Sequence, residues 1–154
     1  MERSVSGTTT HASAVLIGAR AVLIRGASGA GKSRLAFALI QAQAQSFVRF
    51  SRLVGDDRLV LEPRNGRLLV RPAPALAGLI EVRGLGIRRL PYEPVAAVGL
   101  VVDLGAADAE RLPPRESAQT VVSGVDLPRL AVAPETDPIP LVVAYMTSEP
   151  ILRG

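Results

Sequence analysis

The sequence has no cysteine and no tryptophan, one histidine and one lysine. Without cysteine there is no disulfide, no thiolate metal site and no cysteine nucleophile, which is in keeping with a reducing compartment. Aromatic residues make up only 3%, so the core has to be built from Val, Leu, Ile and Ala. The same scarcity removes the stacking side chains that a nucleic-acid groove interleaves with its positive charge. No apolar run approaches the ~18 residues of a membrane span. The start, Met1-Glu2-Arg3-Ser4, lacks the apolar stretch of a signal peptide. These absences predict a soluble cytoplasmic protein that binds neither membrane nor nucleic acid. The net charge of +4 is scattered, with Arg88 and Arg89 the one adjacent basic pair. It leaves room for an acidic partner or an anionic ligand.

What is present is enough for a folded domain. Hydrophobic residues are 48% of 154, a length that suits one domain spanning residues 1–154. Residues 8–17 and 21–25 are apolar and β-branched on either side of Gly18-Ala19-Arg20, and read as a hairpin. Residues 58–62 and 67–71 flank Pro63-Arg64-Asn65-Gly66 and read as a second hairpin. Residues 95–104 are the best candidate for a buried strand. Residues 119–122 and 127–132 read as further strands. Residues 138–146 suit a helix with proline near its start, or one more strand. Residues 41–51 are polar and fit either an extension of the preceding helix or a loop.

The most specific local feature is Gly26-Ala27-Ser28-Gly29-Ala30-Gly31-Lys32-Ser33, which fits G-x-x-x-x-G-K-[ST]. A strand precedes it. After it, Leu35, Ala36, Leu39 and Ile40 fall on one helical face. Glycines let successive backbone N–H groups turn toward one anion, and the helix adds its positive end. Lys32, the sole lysine among seventeen arginines, is a compact charge on a flexible stem and can follow β- and γ-phosphates. The wide planar fork of arginine fits such a cradle poorly. The Ser33 hydroxyl is the expected Mg²⁺ ligand. At average residue frequencies, with glycine at about 7%, the pattern arises by chance in well under about one in a hundred chains of this length.

Two acidic positions compete to serve the metal and the chemistry. Val98-Gly99-Leu100-Val101-Val102-Asp103 has the form of a Walker B strand. Asp56-Asp57 also follows a short apolar run, and adjacent acids repel each other, which suits one of them to accept a proton. Glu81, on the short run Leu79-Ile80-Glu81-Val82, reads by periodicity alone as part of a surface strand and turn.

Taken together, these pieces resemble the catalytic domain of the HPr kinase/phosphorylase family. The resemblance runs through His11 in Thr10-His11-Ala12-Ser13, the glycine loop, Leu53-Val54-Gly55-Asp56-Asp57, and Glu81-Val82-Arg83-Gly84-Leu85-Gly86-Ile87, the most specific stretch. It ends at Glu110-Arg111-Leu112, and spans residues 8–146. It implies a short, single-domain member with an α/β phosphate-loop fold similar to the core of phosphoenolpyruvate carboxykinases, strand-rich with one main helix after the loop. It implies phosphorylation of a serine of HPr, or an HPr-like phosphocarrier, by ATP and Mg²⁺, and is compatible with a homo-oligomer. By the same resemblance, residues Gly26, Ala27, Ser28, Gly29, Ala30, Gly31, Lys32 and Ser33 hold the triphosphate. Ser33 and Glu81 bind Mg²⁺, either Asp56 or Asp57 is the base, His11 lies beside the transferring phosphate, and Arg111 positions phosphate or substrate. Asp103 becomes a structural residue.

The resemblance breaks at residues 132–138. Family members there carry a basic segment linked to the reverse, dephosphorylating reaction, whereas this chain has Pro134-Glu135-Thr136-Asp137-Pro138. The expectation is a kinase with weak reversal. The alternative from another class is a nucleotide-binding regulatory module with little turnover.

Overall fold

A computed structural model describes residues 7–151. Among these the chain forms a mixed α/β, strand-rich fold with eleven strands and two helices. The central strands are β3 (Arg20–Arg25) and β9 (Ala96–Leu104), which run parallel with Arg25 opposite Asp103. Both are buried on two faces, which is why each reads as a nearly continuous apolar run rather than an alternating one. In β3, Val22 and Ile24 face one core cluster while Ala21 and Leu23 face another. β9 carries an irregularity where Ala21 pairs with Val98 and Val22 with Leu100, so one extra residue, Gly99, shifts the alternation.

On one side of the sheet, α1 (Lys32–Ala44) buries Leu35, Ala36, Leu39 and Ala42, and α2 (Pro138–Thr147) buries Val142. Their cluster takes in Val22, Ile24, Leu100 and Val102. Truncating a buried leucine such as Leu39 to alanine costs about 2–5 kcal/mol. The region left open between helix and strand at 138–146 is the helix, and Asp137 caps it: the Ile139 N–H donates to Asp137 Oδ1 at 3.1 Å.

The other face is closed by the sheet itself. Its strands run in the order β1 (Thr8–Thr10), β5 (Leu59–Arg64), β6 (Arg67–Pro72), β9, β3, β2 (Ser13–Ile17), β4 (Ser51–Gly55). Residues 8–17 are therefore two strands, not the single one their β-branched run predicts. β1 pairs with β5, β2 pairs with β3 and β4, and the chain crosses from one to the other at His11-Ala12. A second crossing, Asp56-Asp57-Arg58, joins β4 to β5. These two short links tie together the ends of the strand order, so the sheet curls around Ala12, Ala14, Leu23, Val54, Leu59, Leu61 and Leu68. Packing at this seam is tight: a Cβ on Gly55 would lie 2.5 Å from Leu59 Cδ2 and 3.1 Å from Pro72 Cα.

The free edge of β9 has two partners. β6 pairs with its start, at Ala96 and Ala97, and β11 (Val125–Val132) runs parallel to its end, Arg129 opposite Val101. β10 (Gln119–Val122) adds to β11 as a hairpin. β7 (Leu79–Val82) and β8 (Gly86–Arg89) form a separate two-stranded ribbon. β8 is exposed along its length and carries no apolar alternation that would announce it in the sequence.

Candidate active site

The loop between β3 and α1 holds the G-x-x-x-x-G-K-[ST] residues. Gly29 and Gly31 have φ of 85° and 100°, the left-handed region that side chains resist. Gly31 is the N-cap of α1, and it is followed by no acidic residue in the first turn and no side-chain cap. The first N–H groups of a helix have no intrahelical partner. Here, unlike in α2, no side chain of the helix end supplies one, which leaves an end suited to an anion. Lys32 bends back over the loop, and its Nζ donates to Gly26 O at 2.8 Å and Ala27 O at 3.1 Å.

Two polar contacts set the opposite wall. At the far end of α1 the Ser51 N–H donates to Gln43 Oε1 at 2.9 Å, and Ser51 Oγ donates to Ile40 O at 3.0 Å. β4 thus starts at the C-terminal end of the helix and runs back toward its beginning. An irregularity in the pairing of β2 with β4, between Ala14 and Val15, adds a residue just ahead of Gly55, a common device for aiming side chains at a site. Asp56, 4% exposed, then arrives beside Ser33. Ser33 Oγ donates to it, 2.8 Å from Oδ1 and 2.9 Å from Oδ2. Ser13 Oγ donates to Oδ1 at 2.6 Å, and the Glu81 N–H donates to Oδ2 at 3.3 Å.

Asp57 is placed quite differently. The Arg58 N–H donates to Asp56 O at 2.7 Å, closing a three-residue turn with Asp57 at its centre and φ of 67°. This is the rarer, strained form of γ-turn, and it throws the Asp57 side chain outward. His11 Nδ1 lies 3.9 Å from Asp57 Oδ1, with both side chains about 70% exposed. The two links that close the sheet therefore meet at His11 and Asp57.

Of the residues singled out from the sequence, the fold brings together Ser33 and Asp56, brings the Glu81 backbone to Asp56, and pairs His11 with Asp57. The Glu81 side chain faces solvent on β7. Arg111 stands on the loop between β9 and the 3-10 turn Arg115–Ala118, exposed and without a hydrogen bond or ion pair among the described residues. Ser13 was not legible as a site residue, since nothing in Thr10-His11-Ala12-Ser13 sets a buried hydroxyl apart from the surrounding threonines.

Asp103, the Walker B candidate, is held by arginine. Arg25 donates to it through Nε at 2.7 Å and Nη2 at 2.9 Å, and Arg129 through Nε at 2.6 Å. Burial works to raise its carboxyl, but the hydrogen bonds and charges of Arg25 and Arg129 prevail and hold it below the usual carboxylate range. Ser33 and Asp56 offer hard oxygen donors of the kind a small divalent cation takes together with water and phosphate oxygens, whereas Glu81 meets Asp56 through its backbone N–H and its carboxylate faces solvent. Among the described residues no cluster of three or more His, Cys, Asp or Glu cages a metal unaided.

The chain is similar in sequence and in fold to known proteins. Residues 3–91 match the family described as the HPr Serine kinase C-terminal domain. The HPr kinase/phosphorylase of Limosilactobacillus reuteri is 32% identical over 88% of this chain and 44% of its own length. That of Lactococcus lactis subsp. lactis is 40% identical over 56% of this chain and 26% of its own. This chain spans less than half the length of these curated relatives. The structure of the Hpr(Ser) kinase/phosphatase from Coxiella burnetii superposes with a TM-score of 0.70 at 26% identity, covering 90% of this chain and 93% of that one. With more than half of its residues matched, the chain belongs to the family of HPr serine kinase C-terminal domains.

Proposed function

We propose that this protein is an ATP- and Mg²⁺-dependent protein-serine kinase that phosphorylates HPr or an HPr-like phosphocarrier. On this reading residues 1–154 act as one catalytic domain, on a phosphate-loop core akin to that of phosphoenolpyruvate carboxykinases. The observation that carries the reading is the contact of Ser33 with Asp56 at 2.8 Å, with Asp57 next in the chain and turned outward beside His11. It unites a phosphate-binding sequence, a carboxylate beside it and an exposed candidate base.

In this reading residues 26–33 enclose the triphosphate, and Lys32 exchanges its two loop carbonyls for phosphate oxygens. Ser33 and Asp56 would hold Mg²⁺, with Glu81 of β7 as a further oxygen donor if its side chain turned from solvent, and the bound ion would neutralise charge on the phosphates. Asp57 is the better base of the acidic pair. The Asp56 oxygens are already engaged by two hydroxyls and an amide, whereas an acceptor protein approaches from solvent, where Asp57 points. Asp57 takes the serine proton as the serine oxygen bonds to the γ-phosphorus and the bond to ADP breaks. His11 lies next to Asp57 to orient it, and Arg111 approaches the phosphate from its loop. The remaining work is positioning and charge neutralisation. Reversal brings inorganic phosphate to a phosphoserine, and Glu135 and Asp137 add repulsion along that path, so it is weaker than transfer. The proposal keeps the protein cytoplasmic, with a phosphocarrier as partner, no role for membrane or nucleic acid, and self-association as a family trait.

The test is purified protein with labelled ATP, Mg²⁺ and candidate HPr proteins, followed by mapping of the modified residue. Transfer to one serine is expected. ATP binding without transfer to any carrier would leave the regulatory module as the function.

A further inference from the structure

The loop that carries Arg111 has little of its own to hold it. Residues 110–116 are all exposed. The loop is secured where it begins by the Ala106 N–H donating to Val132 O at 2.9 Å. Beyond that point, among the described residues, the side-chain hydrogen bonds that reach it from another element all come from Arg129 of β11. Its Nη1 donates to Asp108 Oδ2 at 2.8 Å and to Ser117 O at 3.0 Å, and its Nη2 donates to Asp108 Oδ1 at 3.0 Å. Asp108 precedes Arg111 and Ser117 follows it, so a single guanidinium grips both arms of the loop. The third nitrogen, Nε, donates to Asp103 Oδ2 at 2.6 Å, and the other oxygen of Asp103 accepts from Arg25. Arg25 is the last residue of β3, immediately before the glycine loop. The Arg129 side chain is 14% exposed, and its fork geometry allows all four bonds at once. Asp108 is exposed, yet its hydrogen bond with Arg129 holds its carboxyl below the usual range.

We propose that Arg129 is a positioning residue for phosphoryl transfer. It clasps the 108–117 loop at both arms and ties it, through Asp103 and Arg25, to the base of the phosphate-binding loop, so that Arg111 and the phosphates keep a fixed separation. The inference rests on the reading that Arg111 meets the phosphate or the acceptor.

Two variants of the full chain test it, and neither leaves a buried charge without a partner. Asp108→Asn loosens the loop while Arg25, Asp103 and Arg129 stay paired. Arg129→Lys keeps the charge but cannot span Asp103, Asp108 and Ser117 together. Both are expected to lower kcat by about ten- to a hundredfold, with KM for ATP changed less than about twofold, since small misplacements act on the reacting geometry. Both are expected to speed tryptic cleavage after Arg111. In an Arg111→Ala background neither variant is expected to lower kcat further, because each acts through Arg111. Losses that add in that background, or unchanged kcat and cleavage in both variants, overturn the inference while Arg111 keeps its role. A full rate in Arg111→Ala alone overturns the assignment of Arg111, and this inference with it.

Discussion

Asp56 and Asp103 both stand where a strand ends near the glycine loop, and both follow apolar runs. Their partners differ in kind. Asp56 accepts from Ser13, Ser33 and the Glu81 amide, all neutral. Asp103 accepts from Arg25 and Arg129, both permanently charged. A carboxylate held by hydroxyls keeps its negative charge uncompensated and can offer it to a cation. One held between two guanidinium groups has already spent it. The sequence pattern of a metal-binding strand end is thus satisfied twice, and the counter-charges decide which copy is available.

The sharpest break of this comparison is at the loop itself. Lys32→Ala is expected to abolish transfer and weaken Mg·ATP binding while the fold survives, because Lys32 is not part of either core cluster. Calorimetric ATP titration beside a melting curve checks this, and unchanged affinity in a folded variant would remove the phosphate-loop reading. Asp57→Asn is expected to slow transfer by ~10²–10⁴-fold with ATP still bound, the usual weight of a general base. If Asp56→Asn stops transfer and Asp57→Asn does not, the two acids have exchanged roles.

The Asp103 side of the comparison is expected to fail in stability rather than in nucleotide binding. Asp103→Asn removes charged hydrogen bonds to two arginines and should cost about 2 kcal/mol in urea unfolding, with ATP affinity retained. Its pH dependence has a definite sign. A carboxyl held below its unfolded value of about 3.8 stabilises the fold above that pH. The contribution is lost as pH falls through the lower, folded value. The stability gap between wild type and Asp103→Asn should be flat from neutral pH down to about 4 and narrow below it. A gap that narrows between pH 7 and 5 instead would assign the coupling to another group.

Smaller effects sharpen the neutral side. Ser13→Ala deletes a buried donor to Asp56 and should cost about 1–2 kcal/mol, read by the same denaturation. At the capped helix, Asp137→Ala should cost about 1 kcal/mol and Asp137→Asn almost nothing, since asparagine also caps. The Asn variant therefore isolates charge from structure. If Asp137 faces the path of incoming phosphate, Asp137→Asn should quicken release from the phospho-acceptor under saturating inorganic phosphate. An unchanged ratio of reverse to forward rate would put that carboxylate away from the path.

These contrasts also show which parts could be read from the sequence. The strand at 21–25, the glycine loop and the helix through Ile40 are local: spacing, one glycine-rich pattern and one helical face define them. Residues 41–51, open in the sequence between helix and loop, continue the helix only to Ala44. The run ending in Asp103 was legible as a strand for the same reason. What could not be read was which elements meet. Residues 8–17 read as one β-branched and apolar run, and the break at His11-Ala12 exists only because β5 claims one half and β3 and β4 the other. The ribbon strand β8, made of Gly86, Ile87, Arg88 and Arg89, has no buried face to impose a period. Ser13 and Arg129 meet aspartates 43 and 26 positions away, distances over which no spacing rule operates. The acidic pair Asp56-Asp57 stood out from its own apolar run, the family resemblance added Glu81, and the fold then separated the buried acid from the exposed one.

One feature of the loop bears on chemistry of another kind. Lys32 is the only side-chain amine in a protein whose other cations are all guanidinium groups. Its Nζ is lodged against two carbonyl oxygens of its own loop. Amine-selective acylation therefore has one side chain to find, and whatever occupies the glycine loop shields it. The extent of labelling at this single position becomes a direct gauge of occupancy, with no engineered reporter. It also means that a single acyl group, on a single residue, is enough to neutralise the only charge in the loop.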